Sequence, residues 1–301
     1  MKNMNKYENC LLCPRKCGIN RSTGQTGVCG VSSEIKVARA ALHYWEEPCI
    51  SGKRGSGAVF FSGCSLHCVF CQNREISDGK AGKVISKERL SDIFMELADK
   101  GANNINLVTP GQYIPDIVWA VNNAKSRGMK LPIIYNTSGY ENVTELKLLE
   151  GIVDVYLPDF KYMDSTLSAM YSRAKDYPSV AKQALSEMVR QQPDVVIDDA
   201  TGLIQKGVIV RQLLLPGHVN DAKAVLKYLY DTYHNHVYIS MMSQFTPIAL
   251  KDYPEINRTV TRREYERLVD YAIEIGITNA FIQEGDVAKD SFIPAFDCEG
   301  V

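Results

Sequence analysis

The sequence predicts an α/β fold in which parallel strands, each followed by a helix, build a complete or partial (β/α) barrel. Three observations carry that expectation. Short apolar runs alternate with amphipathic stretches along most of the chain, the pattern of βα units and a parallel sheet. Several runs are continuously apolar, which suits strands buried on both faces. Polar residues and cysteines gather where the runs end. Barrels assemble their active sites from the loops at the C-terminal ends of their strands, so this last observation favours a barrel over a flat doubly wound sheet.

Element by element, Ala58–Phe61 reads as the first strand. Ser86 is placed to cap the following helix, on which Leu90, Ile93, Phe94, Leu97 and Ala98 recur at helical spacing. Ile105–Val108 reads as a strand, Ile114–Arg127 as a helix, Ile133–Tyr135 as a strand, Val143–Glu150 as a helix and Val153–Leu157 as a strand. The longer polar stretch Thr166–Gln192 reads as a helical insertion. Val208–Leu215 is a near-continuous apolar strand, and Asp221–Tyr233 is its helix. Val237–Met241, the helix Arg262–Ile275 and the strand Asn279–Ile282 complete seven strands. Behind them, in order, stand Cys64, Cys68 and Cys71, then Thr109-Pro110-Gly111, Asn136-Thr137, Asp159 with Lys161, Pro216-Gly217-His218, Ser240 to Gln244, and Gln283-Glu284. Any strand ends in polar turn residues. That does not account for the cysteines.

Composition narrows the class. The 301 residues are 45% hydrophobic and 23% charged, with a formal net charge of −1. This is ordinary for a globular chain and gives no electrostatic reason to expect nucleic acid or an anionic membrane as partner. No stretch approaches the roughly 18 apolar residues of a membrane span. The first residues, Met1 to Asn9, have no apolar core, so no signal peptide is expected and a cytoplasmic protein is. Eight of the nine cysteines lie between Cys10 and Cys71. In a reducing compartment such clustering points to metal rather than disulfides. The expected organisation is a Cys-rich, metal-binding extension over 1–50 and a barrel over 51–301.

The central motif is Gly63-Cys64-Ser65-Leu66-His67-Cys68-Val69-Phe70-Cys71-Gln72-Asn73. It presents C-x3-C-x2-C directly after a strand, with an aromatic residue before the last cysteine. Structural zinc wants four closed ligands, whereas one loop here offers three. Three thiolates on a four-iron cubane leave one iron open to a substrate or cofactor. A motif of this kind, after the first strand of a βα-repeat chain, resembles the radical S-adenosylmethionine (SAM) superfamily. Glu46-Glu47-Pro48, Ile50-Ser51-Gly52, Asn104 to Pro110, Leu157 to Tyr162, Arg211 to His218 and Met242-Ser243-Gln244-Phe245 extend the resemblance over nearly the whole chain. Together they are similar to the pyruvate formate-lyase activating enzyme-like iron–sulfur proteins.

That resemblance implies a partial (β/α)6-type barrel and a 4Fe–4S cluster on Cys64, Cys68 and Cys71. It implies SAM on the fourth iron, and reductive cleavage to methionine and a 5′-deoxyadenosyl radical that abstracts hydrogen from a substrate. An electron donor such as flavodoxin or ferredoxin is implied as a partner. The substrate is either a glycine in a partner glycyl-radical enzyme, as for activases, or another protein or small molecule. Phe70 matches the position beside the adenine. Many members carry Gly-Gly-Glu after the second strand to hold the methionine amino group. This chain has Thr109-Pro110-Gly111 there, and Thr109 is the expected substitute. Asn136 falls where the third strand meets the site, and Asp159 and Lys161 fall near the ribose and carboxylate.

Other residues are read on physical grounds. Arg211 interrupts a strand that is otherwise apolar, and a guanidinium inside a barrel must be paired. Its partner is either the SAM carboxylate or a structural carboxylate. His218, on a Pro-Gly turn, either contacts the cofactor or substrate or is structural. Cys10, Cys13, Cys17 and Cys29 form a second ligand set among glycines, for structural zinc or an auxiliary iron–sulfur cluster, unless the thiols stay unmetallated. Cys49 reads as a small buried hydrophobe and Cys298 as incidental. The alternative to a radical enzyme is a non-catalytic zinc or iron–sulfur module that senses redox state or binds a partner.

Overall fold

Seven strands lie side by side in the order in which the chain makes them. In the computed structural model, which describes residues 6–248, 250–283 and 294–301, they are β2 (Ser56–Phe61), β4 (Ile105–Val108), β5 (Ile133–Thr137), β6 (Val155–Pro158), β8 (Ile204–Leu213), β9 (Tyr238–Met242) and β10 (Ala280–Ile282). Every neighbouring pair among them is parallel. The register sets Val108 against Phe60 and Asn136, and Asn136 against Leu157, so the strand ends rise together on one side. Three further strands are antiparallel: β1 (Ile35–His43) on β2, β3 (Lys83–Ile85) on β1, and the two-residue β7 (Val196–Ile197) on β8. The sheet order runs from β10 to β3 with no pairing between those ends among the described residues. The barrel is therefore open, a partial (β/α) barrel.

The seven parallel strands are the seven that hydrophobic runs predict. Every residue of β2, β4, β5 and β6 is buried, which is why they read as continuous rather than alternating. Strand β1 escapes the sequence reading because Lys36-Val37-Ala38-Arg39-Ala40-Ala41 is rich in alanine and lacks the β-branched character of a strand. It becomes one through its partner, with Ala40 opposite Val59 and Leu42 opposite Gly57.

The helices cover the outer face. Lys87–Asp99 begins where Ser86 accepts from the Arg89 amide, as its capping role predicts. Arg262–Glu274 opens on a capping box between Thr261 and Glu264. Val143 starts only one α-turn, to Leu146, which tightens into a 3-10 turn over Lys147–Leu149. The insertion is two helices, Ser165–Ser172 and Tyr177–Gln191, parted at Arg173 in the left-handed region with φ of 51°. Among the described residues no helix is long and apolar enough to cross a membrane.

Candidate active site

Strand β2 delivers the chain into the cysteine loop through Ser62 and Gly63. Gly63 has φ of +92°, and a Cβ there would stand 2.7 Å from the Cys29 carbonyl oxygen, so the loop needs glycine on both counts. The loop is then tied down by groups from elsewhere. Arg15 Nε donates to the Ser65 carbonyl at 2.8 Å, the Val69 amide to the Tyr171 carbonyl at 2.8 Å, and Gln72 Nε2 to the Gln244 carbonyl at 3.0 Å. Ser172 Oγ donates to the Cys68 sulfur at 3.0 Å.

Cys64, Cys68 and Cys71 line one cavity of about 270 Å³. Its polar wall comes from the ends of the parallel strands: Thr109 after β4, Asn136 and Thr137 in β5, Asp159 and Lys161 after β6, and Arg211 in β8. Phe70 also lines it, packed against Phe245 with ring centroids 5.8 Å apart. His43, Trp45, Phe60, Ile76 and Pro294 also line it, with the rings of His43 and Phe60 edge to face at 6.0 Å. These strand-end residues, the three cysteines and Phe70 thus face one space.

The electrostatics of that space are balanced locally. Lys161 Nζ stands 2.5 Å from Asp159. Burial acts against its ammonium, but Asp159 and then the Cys68 sulfur more than offset this and hold its pKa above the ordinary lysine value. Burial raises the Cys68 thiol, and burial followed by the neighbouring Cys68 pushes Cys71 up to about 12. Tyr177, from the insertion, gives its hydroxyl to the Ser138 and Asp159 carbonyls and accepts from the Lys161 amide at 2.9 Å.

Arg211 has carboxylates as partners. Its Nε donates to Glu47 at 2.8 Å, and its Nη2 reaches both Glu47, at 2.6 Å, and Glu46. Burial disfavours the guanidinium charge, and Glu46 and Glu47 restore it and hold its pKa well above the ordinary value. Among the described residues its Nη1 makes no hydrogen bond, and the side chain lines the cavity. Thr109 sits at φ of 56°, an uncommon conformation for a β-branched residue, with its amide on Asn136 and its carbonyl accepting from Gln112 Nε2 at 2.9 Å. His218 is placed elsewhere. It precedes the helix Val219–Tyr233, its ring 3.0 Å from the Tyr171 hydroxyl, and is not among the residues lining the cavity. Glu284 lies outside the described residues.

The second thiol group is also brought together. Cys10, Cys13, Cys17 and Cys29 line a smaller cavity with Arg21, Gln112 and Glu141, and Thr109, Thr137 and Ser138 belong to both cavities. As the side chains lie, no three His, Cys, Asp or Glu among the described residues close on a single ion. The thiols stand around their cavities instead. Cys49 is buried in an apolar cluster with Ile134, Leu157 and Ile209, as its small-hydrophobe reading expects. The Cys298 amide donates to the Ala38 carbonyl at 2.9 Å.

Sequence reasoning missed the roles of Ser172 and Tyr177, whose helices give no local sign of facing a site. Glu46 and Glu47 were detectable: two adjacent acids before Pro48 are a natural partner for an arginine inside a strand.

Residues 58–204 match the Radical SAM superfamily. That segment is a radical SAM domain. Its cofactors are accordingly a 4Fe–4S cluster and SAM. A relative from Methanocaldococcus jannaschii, the uncharacterized protein MJ0674, is 28% identical over 277 residues, covering 89% of this chain and 75% of that protein. Among solved structures, Streptococcus suis SuiB bound to S-adenosylmethionine superposes with a TM-score of 0.49 at 11% identity, over 74% of this chain and 49% of SuiB. The FeFe-hydrogenase maturase HydG from Carboxydothermus hydrogenoformans gives 0.49 at 12% identity, over 77% of this chain and 54% of HydG. The chain spans about half the length of those solved structures.

Proposed function

We propose that this radical SAM protein is a hydrogen-abstracting enzyme whose cluster is held by Cys64, Cys68 and Cys71. One observation carries the reading: three thiols from a single loop share a cavity with the polar ends of four parallel strands. The donor set suits a cluster rather than one ion. Three thiolates from one loop would ligate three irons of a cubane and leave the fourth without a protein ligand, whereas a structural zinc site takes four. When bound, the cluster and SAM supply a 5′-deoxyadenosyl radical.

The chain's own side chains do the rest. Phe70 offers an apolar face for the adenine. Thr109 would offer its hydroxyl or its backbone carbonyl to the methionine amino group. Asn136, Asp159 and Lys161 offer hydrogen bonds to ribose and carboxylate, and Lys161 opposes the negative charge gathered by three thiolates. Arg211 remains in the wall, held by Glu46 and Glu47. The aromatic lining of His43, Trp45 and Phe60 offers the substrate an apolar surface and helps to keep water from the reactive carbon. A glycine of a glycyl-radical enzyme is the narrowest substrate; another protein or a small molecule is the broader one. A low-potential donor such as flavodoxin or ferredoxin supplies the electron, and the setting is the cytoplasm.

Anaerobically reconstituted protein should be brown, and with dithionite and SAM should release 5′-deoxyadenosine. Each of Cys64→Ala, Cys68→Ala and Cys71→Ala should abolish that release. A cluster without turnover in the parent protein would favour a redox or partner-binding module instead. A single variant that still cleaved SAM would remove that cysteine from the ligand set.

A further inference from the structure

Among the described residues, Arg21 is the most deeply buried cation that the site chemistry leaves unused. It is 1% exposed and stacked between two rings, its guanidinium carbon 5.0 Å from the Tyr7 centroid and 5.7 Å from that of Tyr113. Its hydrogen bonds go to the carbonyls of Val31, Gln112 and Ser32, and Nη1 lies 3.8 Å from the Cys10 sulfur. Among the described residues it forms no ion pair with a carboxylate. The neighbouring Asp116 is taken by the Tyr7 hydroxyl at 2.5 Å. A guanidinium buried this far needs a compensating negative charge. Four neutral thiols supply none. Four thiolates around a metal supply an excess of it, because their charges exceed that of a divalent ion or of a cubane.

The surrounding backbone is shaped for such a centre. Cys10 and Cys17 are brought round by a tight turn in which the Lys16 amide donates to the Cys13 carbonyl and the Gly18 amide to the Cys10 carbonyl, each at 3.0 Å. Lys16 and Gly18 take left-handed φ of 45° and 64° to make that turn. A Cβ on Gly27 would stand 2.8 Å from the Cys17 sulfur, so glycine there lets the segment that carries Cys29 approach Cys17 closely.

We propose that Cys10, Cys13, Cys17 and Cys29 hold a second, anionic tetrathiolate metal centre, with Arg21 as its buried counter-charge. The centre stands back to back with the radical site, since Thr109, Thr137 and Ser138 line both cavities. The same chemistry suits a zinc ion or a 4Fe–4S cluster, and binding expels the thiol protons to solvent.

The test is independent of the barrel cluster. Full-length Cys64→Ala/Cys68→Ala/Cys71→Ala protein, prepared anaerobically, should keep either about one zinc and no colour, or about four irons and a brown colour, following the usual stoichiometries. Folded, metal-free protein overturns the proposal. Should that variant not fold, the parent protein serves: zinc beside iron, or about eight irons where one cubane accounts for four, supports the second centre. Iron of one cubane alone overturns it. Arg21→Met should speed metal release to a chelator tenfold or more, and Arg21→Lys should restore part of the difference. Release from Arg21→Met at the parent rate removes Arg21 as counter-charge.

Discussion

Arg211 shows how one side chain can be legible as a problem before its solution is visible. A cation in a buried strand demands a partner, and the partners are Glu46 and Glu47, brought across from the segment before Pro48. Glu46 is held in turn by Asn106 Nδ2 at 2.9 Å. Arg211→Met should therefore leave two buried carboxylates uncompensated and destabilise the protein by about 3–5 kcal/mol, read from the denaturant midpoint. Adding Glu47→Gln should recover part of that loss, because the two residues act as one unit. An Arg211→Met protein as stable as the parent would show that the ion pair does not support the fold. Calorimetric titration with SAM on the same variant asks separately whether Nη1 also serves the cofactor.

At the scale of elements, the cysteine loop depends on a neighbour that the local sequence does not reveal. Its motif is plain in the sequence, but its position is fixed by Cys29, Arg15, Tyr171 and Ser172, which lie far away in the chain. Gly63→Ala tests this. Gly101, with φ of +82° and open space within 4 Å of where a methyl group would stand, is the control: Gly101→Ala should cost only the ~1 kcal/mol of a left-handed alanine. Gly63→Ala should cost distinctly more, and should lower the iron content of reconstituted protein, because the loop must move away from the Cys29 carbonyl. Equal melting temperatures for the two variants would mean that the contact with the amino-terminal segment is soft. The helices were easier to read than this loop, since caps such as Ser86 and Thr261 act on amides of their own first turn.

Over the whole molecule, the amino-terminal segment behaves as a clamp across several βα units. Lys6 pairs with Glu145 at 2.7 Å, Asn142 Nδ2 donates to the Leu11 carbonyl at 2.9 Å, and Arg15 reaches the Ser172 carbonyl at 3.2 Å as well as Ser65. Removing residues 1–34 should uncover Gln112 and the back of the cysteine loop. A lower melting temperature and reduced iron incorporation at the loop are expected, by calorimetry and elemental analysis. A 35–301 protein that matched the parent in both would show the segment to be an appendage without influence on the site.

Periodicity and motif, which are properties of consecutive residues, determined the seven parallel strands, most helices and the cysteine triad. Burial leaves its mark along the chain wherever a strand is covered on both faces. Only the tertiary structure decided the rest: that β1 is a strand, that Arg211 meets Glu46 and Glu47, that His218 turns towards Tyr171, and that the two thiol cavities share a wall. Each of these depends on which segment lies opposite, and register across a sheet is set by partners distant in sequence. Local composition cannot encode a partner it does not contain.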